Sequence, residues 1–396
     1  MITRKKIEEL FERGTVVEVF PSKEELIERL TSGKPIKIYY GIDPTGTSIH
    51  LGHAKNAIFL EELRQLGSEV ILLFGDFTAQ IGDPSDKSAV RKQLTAEEVK
   101  KNVSTWVDQF SPVLNFRDKT NPAVIKYNSE WLSKLNFTDV INIASNFTVQ
   151  QMLERDMFEK RLANNTPIHL HEFMYPLMQG YDSVAMDVDA ELCGTDQIFN
   201  ALAGRTLLKR LKNKDKFVIA LNLIANPKTG ELMSKSNGTG VFVDVPADQL
   251  FGSIMALPDP MIEPLFLNVT RIPMSEKDAI MSKGPRAAKA EIAYDIVKRF
   301  HGEDKARAAV EAFNNTFAKG GTPEDMPEIK ISEGSILVEE LIKADIVPSK
   351  TEWRRLVTDG AVRLEDETKI TDPAFVPTQT LILKIGKRRF VKVTVV

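Results

Sequence analysis

The sequence predicts an α/β protein that opens on a parallel sheet, continues through helices and closes on a small α/β module. Three observations predict it. Residues 36–42, IKIYYGI, are a short apolar run rich in β-formers, stopped by the turn signal Asp43-Pro44-Thr45-Gly46. A helical pattern starts near Gly52, and a second buried-looking run, Val70 to Phe74, follows it. Strand, loop, helix, strand is the opening of a parallel sheet. Residues 316–331 carry glycine, proline and acids with little periodicity and read as a linker, beyond which lies a compact piece ending at Val396.

The elements follow in order. Ser22 and Glu25 form a capping pattern before Leu26, Ile27 and Leu30, so the first segment reads as helical. Thr95 and Glu98 repeat that pattern at the head of a mostly helical stretch, 95–165. Residues 165–225 return to mixed α/β. Residues 226–240 are polar and glycine-rich and read as a mobile loop. Helical patterns dominate from 246 to 318. The C-terminal piece begins with an amphipathic helix. A second helix is capped by Ser349 and Glu352, carries Trp353, Leu356 and Val357 on one face and stops at Gly360; short strands finish the chain. The expected domains are 1–232 with a helical insertion, 233–320, and 332–396.

Bulk composition narrows the function. The chain has 396 residues, 42% hydrophobic and 27% charged, which suits a globular protein of two or three domains. A net charge of −3 excludes a whole-molecule basic field, so nucleic-acid contact must come from local patches. The single cysteine, Cys193, excludes an intramolecular disulfide and a cysteine-rich zinc site. No apolar run is long enough to span a bilayer and the N-terminus has no apolar signal core, so the expectation is cytoplasmic, with no membrane partner.

His50-Leu51-Gly52-His53 follows a strand and a turn and opens a helix. A helix start offers free N–H groups and a positive dipole end, both suited to phosphate. Gly52 permits close approach, and imidazoles donate to phosphate oxygens as charge builds. A surface pair or a metal pair has the same spacing, but no third metal ligand stands nearby. Met233-Ser234-Lys235-Ser236 lies in the glycine-flanked loop, where a lysine folds over a triphosphate or is simply solvated.

HxGH after the first strand, then MSKS about 180 residues later, resembles the class I aminoacyl-tRNA synthetases. That family implies a Rossmann-like catalytic domain, an aminoacyl-adenylate, ATP as substrate with magnesium bound to it, no other cofactor or protein-bound metal, and transfer to a tRNA. Tyr39-Tyr40-Gly41-Ile42-Asp43-Pro44-Thr45, Ile81-Gly82-Asp83-Pro84-Ser85, Tyr175-Pro176-Leu177-Met178-Gln179-Gly180-Tyr181-Asp182 and Gly194-Thr195-Asp196-Gln197 stand in the order of the bacterial-type tyrosyl branch. The resemblance runs from about Tyr39 to the C-terminus.

It implies L-tyrosine, ATP and tRNA(Tyr) as partners, and a homodimer. It places Tyr39 and Asp182 at the substrate phenol, Asp83, Tyr175 and Gln179 at its ammonium and Gln197 near its carboxylate. ATP falls to Gly41, Asp43, Thr45, His50, Gly52, His53, Gly194, Asp196, Met233 and Lys235. His50, His53 and Lys235 carry the catalytic charge, with Lys87 and Arg91 on a basic loop approaching pyrophosphate. The C-terminal piece resembles a small RNA-binding domain first known from a ribosomal protein. Its last thirteen residues hold Lys384, Lys387, Arg388, Arg389 and Lys392 and no acid, and Arg354 and Arg355 extend the patch. A charged edge hairpin is the plainer reading.

Two positions depart from the family. Leu232 stands where the first lysine of KMSKS is usual, and Cys193 where a glycine is. A tryptophanyl-type enzyme or a non-catalytic RNA-binding relative are the rival readings. Asp182 and the C-terminal piece oppose the first, and the intact histidines, Asp83 and Lys235 the second.

Overall fold

The structure is a computed structural model describing residues 4–83, 94–234, 238–317, 326–332, 334–344, 346–364, 368–386 and 389–395. The chain forms two compact units, Met1–Arg307 and Ala308–Val396.

The first unit is built on a six-stranded sheet. In chain order its strands are β1 Val16–Phe20, β2 Lys37–Ile42, β3 Glu69–Phe74, β4 Val124–Tyr127, β5 Ala190–Gly194 and β6 Phe217–Leu221. Their spatial order is β1-β6-β5-β2-β3-β4, all parallel except the edge strand β1 against β6. β2, β3, β5 and β6 are mostly buried on both faces, as central parallel strands require, and apolar apart from Glu191 and the strand-opening Lys37 and Glu69. Two strands depart from the helical readings. Val16–Phe20 and Val124–Tyr127 are short, edge-placed and partly exposed, so they lack the continuous apolar run that marks a central strand.

Four helices position the site: α1 Leu51–Gln65, α2 Ala96–Phe110, α3 Met174–Met186 and α4 Ile198–Lys212. Thr95 and Glu98 form the expected reciprocal cap of α2. α3 and α4 pack closely because Gly180 and Gly204 face each other; a Cβ on Gly180 would lie 3.1 Å from the Gly204 nitrogen.

The second unit has a four-stranded sheet of β7 Glu328–Ile331, β8 Val362–Leu364, β9 Leu381–Ile385 and β10 Arg389–Val395, in the order β7-β10-β9-β8. β7 falls within the stretch read as linker and pairs parallel with β10. Its four residues, Glu-Ile-Lys-Ile, are too few for alternation to stand out beside the glycines and acids before them. Trp353, Leu356 and Val357 enter the core of this unit with Leu383, Ile385, Val391 and Val393.

Candidate active site

The strand order reverses between β2 and β5, so the loops leaving their C-terminal ends part and open a crevice, the usual ligand position in such sheets. The loop after β2 carries Asp43, Thr45 and His50. The loop after β5 carries Asp196 and Gln197.

His50 is the N-cap of α1. Its Nδ1 accepts the Gly52 amide at 3.1 Å, and His53 Nδ1 accepts the His50 amide at 3.3 Å. The two rings stack with centroids 3.8 Å apart. Burial lowers His50 to about 4, and burial with the charges of His50 and Lys55 holds His53 well below its ordinary value. Both imidazoles are neutral at pH 7. With Nδ1 occupied as acceptor, each carries its proton on Nε2. Gly52 is required here: a Cβ would sit 2.8 Å from the His50 ring.

The expectation of free amides at this helix start is corrected. Leu51 N donates to Val241 O at 2.9 Å, Gly52 N to His50 Nδ1, and His53 N to His50 O at 2.9 Å. The cap residues are themselves the signature histidines, so they close the helix that they were expected only to decorate. An anion is left the two Nε2–H groups and the positive end of the helix.

The loop with Met233 and Ser234 is pinned beside them. Val243 N donates to Ile49 O at 3.1 Å, and Phe242 bridges His50, so the chain after the loop runs along the signature. Met233 N donates to Ile224 O at 2.8 Å. Thr239 Oγ1 receives Ser234 N at 3.1 Å and donates to Leu232 O at 2.8 Å. Leu232 bridges Ala225 and is 37% exposed, so no cation stands at that position. Lys235, Lys87 and Arg91 lie outside the described residues.

A chain of side-chain hydrogen bonds crosses the other half of the crevice. The Tyr39 hydroxyl lies 3.1 Å from Ser183 Oγ, which also receives Lys216 Nζ at 2.6 Å. Lys216 pairs with Glu191, and Glu191 Oε1 accepts Gln179 Nε2 at 3.0 Å. Asn200 Nδ2 reaches Gln179 Oε1 at 2.9 Å and Gln197 Oε1 at 2.8 Å. Gln197 Nε2 donates to Asp83 Oδ2 at 2.6 Å, and Arg155 Nη2 to Asp83 Oδ1 at 3.2 Å. Tyr39, Gln179, Gln197 and Asp83 are thereby brought into one network.

Asp182 is close but differently engaged. Trp131 Nε1 donates to it at 2.7 Å and Asn128 Nδ2 at 3.4 Å, while burial pushes its carboxyl well above the usual range. Tyr39 turns to Ser183 rather than to Asp182. Burial, with Glu191 and Asp182 nearby, raises its phenol well above 10. Tyr175, expected at an ammonium, donates to Asp43 Oδ2 at 2.9 Å, and Thr78 Oγ1 donates to Asp43 Oδ1 at 2.7 Å.

Gly194 lies so close to Asp196 that a Cβ would meet Oδ1 at 2.4 Å. The side chain of Cys193 packs with Ala201, Val218 and Ala220, so this departure from the family falls in the core. Of the basic patch, Arg355 pairs with Glu352 at 2.8 Å, Lys392 with Glu328 at 3.3 Å, and Arg389 donates to Ile346 O at 2.8 Å. Arg354 is exposed, and Lys387 and Arg388 lie outside the described residues.

Ser183, Glu191, Lys216, Asn200, Trp131, Asn128 and Arg155 were not singled out from sequence. Glu191 inside the apolar run Ala190–Gly194, and Lys216 heading the run Phe217–Leu221, were the visible signals: a lone charge in a buried strand needs a partner. The others look like ordinary polar helix and turn residues.

A parallel sheet with paired imidazoles at a helix start, a loop pinned beside them and a partly buried polar network at the switch point defines a nucleotide-site enzyme of class I synthetase type. The family model for tRNA synthetases class I (W and Y) matches residues 31–318, and the chain belongs to that family. A relative named tyrosine–tRNA ligase from Haemophilus influenzae is 41% identical over 377 residues, covering 94% of this chain and 93% of the relative. Another of that name, from Carboxydothermus hydrogenoformans, is 41% identical over 406 residues, covering 97% of each. Among solved structures, a C-terminally truncated Aspergillus nidulans mitochondrial tyrosyl-tRNA synthetase aligns with a TM-score of 0.66 at 24% identity, over 79% of this chain and 94% of that one. The Archaeoglobus fulgidus tyrosyl-tRNA synthetase complexed with L-tyrosine aligns at 0.59 and 20%, over 77% and 99%. These two likenesses speak to the fold.

Proposed function

We propose that the chain is a tyrosine–tRNA ligase. It activates L-tyrosine with ATP to tyrosyl-adenylate and pyrophosphate, then transfers tyrosine to the 3′ end of tRNA(Tyr). The observation that carries this is the hydrogen-bonded network from Tyr39 to Asp83, buried at its Tyr39 end, at the strand switch point that the loop bearing the imidazole pair also leaves.

The substrate phenol enters between Tyr39 and Asp182. A site with polar groups waiting there rejects a ring without a hydroxyl, because those groups are left unpaired. Asp83, Gln179 and Tyr175 take the ammonium, and Gln197 lies near the carboxylate. ATP lies along Gly41, Asp43, Thr45, Gly52, Gly194, Asp196 and Met233. One carboxylate oxygen attacks the α-phosphorus in line, and the bond to the pyrophosphate oxygen breaks. Nε2–H of His50 and of His53, with Lys235, donate to the phosphate oxygens as charge shifts; Lys87 and Arg91 meet the leaving pyrophosphate. Magnesium enters with ATP. No covalent enzyme intermediate is needed. A ribose hydroxyl of the tRNA end then attacks the activated carbonyl, and AMP leaves.

The enzyme works as a cytoplasmic homodimer, with 332–396 as an RNA-binding module. Support for the dimer comes from Phe137, Ile141, Val149, Leu162 and Leu170, large apolar side chains exposed along one stretch of helices. No single helix among the described residues is long and apolar enough to cross a membrane.

The test is ATP–pyrophosphate exchange across the amino acids. Tyrosine alone should support it. Exchange with tryptophan and none with tyrosine overturns the reading.

A further inference from the structure

Ser183 and Lys216 have no step of their own in the activity as derived so far. Ser183 follows Asp182 on α3 and is fully buried, and so is the side chain of Lys216, just ahead of β6. Both fill a notch left by Gly204 of α4. A Cβ there would lie 2.7 Å from Lys216 Nζ and 2.8 Å from Ser183 Oγ. Lys216 Nζ also stands 5.5 Å from the centre of the Tyr39 ring, so the lysine head packs against the residue placed at the substrate phenol.

The hydrogens of this cluster fall into one arrangement. Lys216 Nζ donates to Ser183 Oγ at 2.6 Å and to Glu191 Oε2. A lysine head has hydrogens to give and no lone pair to offer, so the Ser183 oxygen accepts and its own hydrogen goes elsewhere. Among the described residues, the other partner of Ser183 Oγ is the Tyr39 hydroxyl, at 3.1 Å. A buried hydroxyl left without an acceptor is costly, so Ser183 donates to Tyr39 Oη. Tyr39 is then left with its own hydrogen to give. Burial, with the charges of Glu191 and Asp182, keeps that hydrogen on the phenol. Glu191 also lies near the Tyr39 hydroxyl, but each of its oxygens already carries a donor, Gln179 on one and Lys216 on the other. The oxygen of an incoming phenol carries none.

We propose that Ser183, oriented by Lys216, is a positioning residue: it sets Tyr39 as the hydrogen donor to the ring oxygen of the amino acid. This rests on the tyrosine reading above. The site then selects a ring substituent that accepts a hydrogen bond, not merely a polar one. Without Ser183, the Tyr39 hydroxyl is free to turn its hydrogen to Glu191 and present a lone pair instead.

The test compares Ser183→Ala, Ser183→Cys and Tyr39→Phe with the wild type in ATP–pyrophosphate exchange driven by L-tyrosine, L-phenylalanine and 4-amino-L-phenylalanine. A ring oxygen accepts a hydrogen bond well, an aromatic amine donates well and accepts poorly, and phenylalanine does neither. Ser183→Ala should lower kcat/KM for tyrosine about tenfold, the size of one hydrogen bond. Phenylalanine should stay within about twofold, since it makes no bond to Tyr39. The amine should not fall, because a turned Tyr39 accepts from it. Ser183→Cys keeps a weak donor in place and should lie between alanine and the wild type. Its substrate ratios give the same reading if the alanine variant does not fold. An equal fall with all three substrates, or a tyrosine-to-phenylalanine ratio within about twofold of the wild type, overturns the proposal. So does a fall for the amine as large as that for tyrosine. A wild-type ratio in Tyr39→Phe instead overturns the placement of Tyr39 at the phenol and takes the role of Ser183 with it. Wild-type exchange absent with tyrosine overturns the parent reading.

Discussion

His50 and His53 cap the same helix reciprocally: each Nδ1 accepts a backbone amide at the start of α1, and the two rings stack face to face. One pair of side chains thus performs a folding task with Nδ1 and leaves Nε2–H for a ligand. The two tasks separate on substitution. Asparagine is a good N-cap, so His50→Asn should hold folding stability within about 1 kcal/mol. It has no group where Nε2–H stood, so tyrosine activation should fall roughly a hundredfold. Urea midpoints and exchange turnover read the two effects. Turnover near that of the wild type would remove the imidazole from the chemistry.

The same burial makes a prediction about acid. The unfolded chain binds a proton at His50 near the ordinary 6.5, whereas the folded chain does so only at about 4. Between those values the unfolded state holds more protons, so stability falls as pH falls, by about 1.4 kcal/mol per unit from this group alone. Above 6.5 the contribution is flat. Carboxylates add their own slopes, so the comparison is with His50→Asn: the variant should gain on the wild type between about pH 7 and about pH 5, by about 2 kcal/mol. Parallel stability curves for the two proteins would contradict a neutral buried His50.

The strands and caps that frame this site were legible before the structure, and the reason is local. Asp43-Pro44, Gly52 and the capping pairs act within a few residues of chain, and a turn or a cap writes itself into adjacent letters. β2, β3 and the caps at Thr95 and Ser349 appear where periodicity and cap chemistry put them. Ser183, Lys216, Asn200 and Arg155 were invisible because their meaning depends on which strands become neighbours. Lys216 meets Glu191 only because β6 lies beside β5. The edge strands β1 and β4 and the short β7 escaped for a related reason: they are half-exposed or very short, and their patterns do not stand out from loop.

Lys216 and Glu191 are 0% and 2% exposed, so each is a buried charge whose only compensation is the other and the polar groups around them. Lys216→Met leaves Glu191 without its counter-ion and should cost about 3–5 kcal/mol. Lys216→Met with Glu191→Leu should recover much of that stability, because removing both charges also removes the desolvation cost. Tyrosine binding should not recover, since Gln179 loses the acceptor that orients it. Denaturant titration and the tyrosine KM check the two halves. A double variant no more stable than the single one would mean that the network, not the charge, supplies the stability.

Phe137 is 80% and Leu170 77% exposed, in a helical region that contributes five of the large apolar side chains left open to solvent. Covering them against a second copy removes that surface from water. Phe137→Glu with Leu170→Glu should convert the enzyme to monomers in sedimentation at micromolar concentration while leaving its far-ultraviolet circular dichroism unchanged. A particle of unchanged mass would remove this face as support for the proposed dimer.

The place to cut off the C-terminal module is set by β7. Deleting 332–396, the boundary that composition suggests, leaves Glu328–Ile331 behind without β10, its only sheet neighbour among the described residues. The remnant is an unpaired strand bearing Ile329 and Ile331, the latter taken from a core it shares with Leu383 and Val393. Such an edge pairs readily with other chains. Deletion from residue 326 onward removes the strand together with its sheet. That shorter protein should keep tyrosine-dependent exchange near the wild-type rate, because every group placed in the tyrosine and ATP sites lies in the first unit. Aminoacylation of tRNA(Tyr) should weaken, and its salt dependence should become shallower as phosphate contacts from the basic strands are lost. The protein cut at 331 should show the same losses and aggregate more. Exchange and aminoacylation falling together in the shorter protein would contradict a module that serves only the RNA.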